Sequence, residues 1–164
     1  MSWEGAAMTD ARTKGAVIRF KPDGPLRRKW FVPGAVAFPA KAHLGMMLEI
    51  YSRYSQPGDW CLDPFGGIGS SLVGCLTGRN VILVEKEARW AKLALQSWEK
   101  MQTVGPMMGY SMGQAIILQG DSRALPLGQV EAVITSPPYE KGLGNGEGPN
   151  AGGSEDKYGR WQKG

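Results

Sequence analysis

Two cysteines are all that the 164-residue chain contains, Cys61 and Cys75. Neither stands in a Cys-x-x-Cys pair or a Cys/His spacing that would clasp a metal. Both are expected as small buried thiols in a reducing compartment. Long hydrophobic runs are also missing, since nothing approaches the roughly 20 residues that cross a bilayer. The N-terminus, MSWEGAAMTDARTKGAVIRF, has early acids and no unbroken apolar core, which is not the pattern of a secretory signal. A cytoplasmic protein with no membrane partner is the expectation. There is no internal repeat, and the length suits one domain with a real core rather than two.

Glycine, by contrast, is abundant: 24 of 164 residues, about double the usual share of roughly 7%. Much of the excess follows Tyr139, so residues 141–164 are expected to form a flexible Gly-rich tail that buries too little apolar surface to offset its ordering entropy. The net charge of +4 leans towards an anionic partner. Residues 1–37 read as a polar, basic N-terminal extension. In it only Ala16–Phe20 has the look of a short strand, and Arg27-Arg28-Lys29 reads as solvated surface.

From Ala40 to Ser55, apolar residues recur at three- and four-residue steps: Leu44, Met47, Leu48, Tyr51 and Tyr54. That spacing predicts an amphipathic helix with a core-facing stripe, closed by the Pro57-Gly58 turn. Trp60–Asp63 is a short apolar run ending in an acid. A helix is then expected from Ser70 or Ser71 as cap, with Leu72, Val73 and Leu76 inward and Gly78 ending it. Asn80–Glu87 reads as a strand, residues 88–101 as a helix with Trp90, Ala94, Trp98 and Met101 on one side, and AIILQGDS and EAVITSPP as two more strands. Near-continuous apolar strands are buried on both faces, which implies a parallel α/β sheet.

Ligands of such sheets bind at the carboxyl ends of the strands, and here each strand ends in something unusual. The first ends in Asp63-Pro64-Phe65 and a glycine turn, Gly66-Gly67-Ile68-Gly69, where the backbone can approach a ligand closely. The second ends in Glu85, about 20 residues beyond that turn, where nucleoside-binding α/β folds place the acid that grips the ribose. The third ends in Gly120-Asp121-Ser122, whose carboxylate or amide suits an adenine edge. A dinucleotide site generally reads G-x-G-x-x-G and holds a pyrophosphate. This loop opens with an acid and lacks a clear third glycine. An acid repels phosphate and suits an amine or a sulfonium, so an adenosine bearing a positive charge is favoured over NAD. The fourth strand runs into Ser136-Pro137-Pro138-Tyr139, a rigid exit, since proline cannot continue a ladder.

The segments FPAKAHLGMMLEIYSRYSQPGDWCLDPFGGIGSSLV, VILVEKEARWAKLA, GDSRALPL and TSPPY, together spanning roughly residues 38–140, resemble the amino-methylating DNA methyltransferases. The resemblance implies a partial Rossmann-like, S-adenosylmethionine-dependent methyltransferase fold of about four parallel strands with flanking helices, with DNA as partner and a restriction–modification setting. It also implies site roles. Asp63, Pro64, Phe65, Gly67 and Gly69 would surround the methionine part of S-adenosylmethionine, and the segment ending in Lys41 would close over it. Glu85 would bind the ribose and Asp121 the adenine amino group. Ser136, Pro137, Pro138 and Tyr139 would hold the target base. An exocyclic amine is a poor nucleophile because its lone pair is delocalised into the ring. Hydrogen bonds from its N–H groups to the Ser136 hydroxyl and the Pro137 carbonyl would draw it towards sp³ geometry, with the two prolines fixing that carbonyl in advance. Tyr139 would stack on a base rotated out of its duplex. Serine in the first position resembles the cytosine-N4 group more than the adenine-N6 group.

The family's domain continues beyond its Ser-Pro-Pro-Tyr motif with further strands, and nothing after Tyr139 reads as a strand. A fragment is therefore expected, or half of a split enzyme whose missing strands a second chain supplies. Two other readings stand beside DNA methylation: transfer to RNA or a protein amide, and a remnant that binds cofactor without turnover.

Overall fold

Four short strands carry the architecture: β1 (Trp60–Asp63), β2 (Asn80–Glu85), β3 (Ala115–Gln119) and β4 (Ala132–Val133). The computed structural model describes residues 17–37, 41–125 and 128–137, and within them the strands form one sheet in the order β3-β2-β1-β4, every neighbouring pair parallel. This is the first part of the doubly wound order 3-2-1-4, so the chain is a partial Rossmann-like α/β sheet.

Four α-helices and a 3₁₀ helix accompany it: α1 (Gly24–Trp30), α2 (Pro33–Ala37), α3 (Leu44–Tyr54), the 3₁₀ helix Ser70–Thr77, and α4 (Ala88–Val104). One face of the sheet, carrying Cys61, Val81, Leu83, Ala115 and Ile117, packs with residues of all five into the main core. Handedness explains the one-sidedness. The chain steps from β1 to β2 to β3 in one direction, and right-handed crossovers then put both connecting helices on the same face. In the return to β4, on the other side of β1, the described residues lie on the opposite face and form no helix. There Leu62, Ile82 and Val84 pack with Trp60, Leu118, Leu125 and Val130, while Ile116 and Val133 stay 43% and 59% exposed. Burial on both faces, expected from the apolar strands, is thus full for β1 and β2 on one face, where Ala115 and Ile117 of β3 are half-buried, and partial on the other.

Apart from the short strand expected at Ala16–Phe20, the expected helices and strands are present, with three local differences. Tyr54 does not join the core stripe of α3; it is exposed and lines a shallow groove with Ile50 and residues 132–135, because no described strand lies beyond β4. Neither Ser70 nor Ser71 caps the helix after the glycine turn. Gly69 is the cap residue, with φ +88°, while the Ser70 hydroxyl accepts from Arg27 at 3.3 Å and Ser71 Oγ is buried without a hydrogen-bond partner.

The third difference concerns residues 24–37. They form α1 and α2, and Trp30, Phe31 and Ala35 belong to the main core. Arg27 is not solvated surface: it is 2% exposed and its guanidinium joins three segments. Nε donates to Asp23 at 2.9 Å, one terminal nitrogen donates to Ser70 Oγ and the other to the Ala42 carbonyl. Asp23 also accepts from the Leu44 amide at 2.9 Å, so the pair pins the start of α3 to α1. Residues 17–20 have no strand. Both cysteines are buried and free, and burial pushes the Cys75 thiol up to about 12. Among the described residues no helix is long and apolar enough to cross a membrane.

Candidate functional site

Because all four strands are parallel, their carboxyl ends share one edge of the sheet, and the strand order reverses between β1 and β4. Crevices at such a switch point are where open α/β sheets take ligands. Asp63 closes β1, Glu85 closes β2, Gly120-Asp121 follows β3, and Ser136 stands three residues after β4. The acids and the serine are therefore on one rim, and β1 lies directly beside β4, with Leu62 opposite Val133.

Asp63 is the deepest of them at 4% exposed. Its Oδ1 accepts from the Thr135 hydroxyl at 2.6 Å and from the Phe65 amide at 3.1 Å. Burial pushes its carboxyl above the usual carboxylate range. The Thr135 hydroxyl, the neighbouring Ser71 hydroxyl (which makes no well-formed hydrogen bond) and the Phe65 amide oppose that rise. The buried position thus disfavours the charged form, and a cation in the crevice would restore it.

The glycine turn is held from within. The Gly66 amide donates to the Val84 carbonyl and the Gly69 amide to the Gly66 carbonyl, each at 2.9 Å. The Gly67 amide donates to Glu85 Oε2 at 2.8 Å, and the other Glu85 oxygen accepts from the Glu87 amide at 2.8 Å. A phosphate-binding turn leaves its N–H groups for the ligand; here those three are consumed by the protein. Gly67 has φ +52° and open space where a side chain would stand, which only glycine offers without strain.

Asp121 is on the rim and already partnered. The Arg123 side chain donates to it at 2.6 and 2.9 Å, the Arg123 amide donates at 3.0 Å, and Lys86 lies 3.7 Å away. The Arg123 hydrogen bonds hold its carboxyl well below the usual range. Lys41 is half-buried, and burial together with the nearby Arg27 charge lowers its affinity for a proton. Pro64 is half-buried and Phe65 exposed at the mouth of the turn. Ser136 and Pro137 are exposed. Pro138 and Tyr139, with Phe38 and the 141–164 tail, lie outside the described residues.

Two residues at this rim were missed in the sequence. Thr135 sits between the strand and Ser136, and its β-branched hydroxyl next to a strand end is the signal that was available. Arg27 is signalled by an acid four residues earlier and by the apolar Trp30-Phe31 that follow.

The fold and rim define a class, a partial doubly wound sheet with acids along the carboxyl-end rim of its strands. No protein-family model matches the chain, and no curated protein matches it. Among solved structures it is similar to TrmN from Thermus thermophilus, at 23% identity and a TM-score of 0.49 over 68% of this chain and 32% of that one. It is similar to Methanocaldococcus jannaschii Trm5 in complex with adenosine, at 15% identity and 0.49 over 63% and 31%. A third likeness is to the M. jannaschii tRNA m1G37 methyltransferase, at 15% and 0.46 over 58% and 28%. The chain spans about a third or less of the length of each.

Proposed function

We propose that this chain is the S-adenosylmethionine-binding part of an amino-methyltransferase acting on a nucleic-acid base, with cytosine N4 of DNA as the acceptor that Ser136 favours. One observation carries the reading: the buried acid after β1 and the residue before Ser136 are in hydrogen-bond contact, 2.6 Å apart. A methyl donor at Asp63 and a base at Ser136 would therefore be neighbours.

The residues present fit that cofactor. The turn's amides are internally satisfied, which suits a nucleoside without phosphates. The two hydrogen bonds on Asp63 fall on Oδ1, and a cationic ligand beside this buried carboxyl would favour its charged form. Glu85 keeps a carboxylate at the tip of β2 for a ribose, and Asp121 is set for an adenine amine once Arg123 yields. Lys41, half-buried, would meet the methionine end.

When bound, S-adenosylmethionine supplies an electrophilic methyl group on a sulfonium. The protein's part is to orient the acceptor. The Ser136 hydroxyl and Pro137 carbonyl would accept from the two amine N–H bonds, Tyr139 would stack on the base, and the proton displaced from nitrogen would pass to solvent. No strong base is needed, and the gain comes from preorganisation.

The test is transfer of a radiolabelled methyl group from S-adenosylmethionine to cytosine-rich DNA, to RNA, or to no acceptor, alongside Asp63→Ala, Ser136→Ala and Tyr139→Ala. Asp63→Ala is expected to lose cofactor affinity at least about tenfold, or about 1.4 kcal/mol. The other two should keep affinity and lose transfer. Label on RNA alone would overturn the DNA acceptor, and binding without transfer would leave a cofactor-holding remnant. Failure to bind would overturn the whole reading.

A further inference from the structure

We propose that Thr135 is a positioning residue whose hydroxyl ties the Ser136-Pro137 corner to Asp63, so that the two halves of the site move as one body. The inference rests on the reading above, in which Asp63 faces the cofactor. The geometry that supports it is local. β4 is only two residues long, and its last ladder bond runs from the Ile134 amide to the Leu62 carbonyl at 2.9 Å. Beyond it, the Thr135 bond is the one hydrogen bond that residues 135–137 make among the described residues. Ser136 and Pro137 are exposed, so packing does not hold them. A hydroxyl on a carboxylate at 2.6 Å is in the short, charge-assisted range and roughly twice as strong as a neutral pair. Threonine suits the task because its branched Cβ restricts χ1 and holds the hydroxyl in place. Valine would keep that shape and lose the bond.

Two consequences follow. A ligand that acts on Asp63 must be felt at Ser136, through one side-chain contact. Removing the hydroxyl should leave cofactor binding in place while releasing the corner that would orient the base.

The experiment is an NMR titration of the full chain, isotope-labelled, with S-adenosylhomocysteine, following the Gly67 and Ser136 amides. In the wild type both are expected to shift with one common Kd. In Thr135→Val, Gly67 should still titrate, with a Kd raised no more than the loss of one hydrogen bond on Asp63 requires, while the Ser136 response is lost, and Thr135→Ser should restore it. Thr135→Ala serves as a second hydroxyl-free variant should valine disturb folding. Where transfer is measurable, Thr135→Val should lower kcat by about tenfold, equivalent to about 1.4 kcal/mol, a larger factor than the rise in cofactor KM from losing one hydrogen bond on Asp63. A wild-type Ser136 that ignores the ligand while Gly67 responds would overturn the coupling. So would a Thr135→Val protein whose Ser136 still responds. A Gly67 amide that never responds would overturn the cofactor reading itself, and the coupling with it.

Discussion

Replacing Gly66 with alanine should be among the most damaging single-methyl changes in this chain. Gly66 is buried at the start of the turn after β1. A Cβ built there would lie 2.8 Å from Leu83 Cδ1, with Cγ and Cδ2 nearer still. Leu83 is fully buried in β2, the strand flanked by β1 and β3, opposite Asp63 on one side and Ile117 on the other. A core packed to crystal density gives such a side chain nowhere to go. Overpacking typically costs 1–3 kcal/mol, and three atoms inside contact distance argue for about 3. For a chain of this size that is a Tm lower by about 6–12 °C. Gly67→Ala is the control. Its Cβ would meet nothing within 4 Å, so only its positive φ is penalised, by about 1–2 kcal/mol. Leu83→Ala alone should cost about 2–5 kcal/mol, and in the Gly66→Ala background part of that should be recovered as a coupling of about 1–3 kcal/mol. Urea unfolding of the wild type and the four variants measures each term. Strict additivity of the two changes, or a Gly66→Ala protein within about 0.5 kcal/mol of wild type, would refute the contact. The displaced turn would also strain the Gly67–Glu85 bond, so cofactor affinity should fall with stability.

Two further predictions concern charge. Burial raises the Asp63 carboxyl in the folded protein, so at acid pH below its unfolded value the group is protonated in both states and carries no penalty. As pH rises through the folded value, the folded state is disfavoured relative to the unfolded chain. Asp63→Asn should therefore gain stability relative to wild type as pH rises through that acid window and hold the gain at neutral pH, while losing cofactor binding. Chemical denaturation from acid to neutral pH checks the sign, and a gap that closes as pH rises would contradict it. Arg27→Met should destabilise by about 3 kcal/mol, the low end for breaking a buried pair, since Asp23 keeps its bond to the Leu44 amide. Asp23→Asn in that background should recover part of the loss, read as thermal shifts of the two variants.

The elements of the fold were legible because each carried its own local pattern. The steps from Leu44 to Tyr51 and from Trp90 to Met101 announced α3 and α4. The apolar runs leading to Asp63, Glu85 and Gly120-Asp121 announced strands with special ends. What was misread belongs to residues whose surroundings come from elsewhere. Arg27 is charged and looks solvated, yet Asp23, Ala42 and Ser70 supply its hydrogen bonds from three separate segments. Tyr54 continues a core stripe that no described strand beyond β4 covers.

By itself the amino-acid sequence determined which residues alternate inward, where strands break, and that acids, glycines and a proline pair stand at strand ends. These follow from side-chain periodicity and backbone stereochemistry within a few residues. Only the tertiary structure decided that β4 comes home beside β1, because strand order depends on crossover handedness and on contacts between residues some seventy positions apart, such as Asp63 and Thr135. That closure sets the buried acid against Thr135.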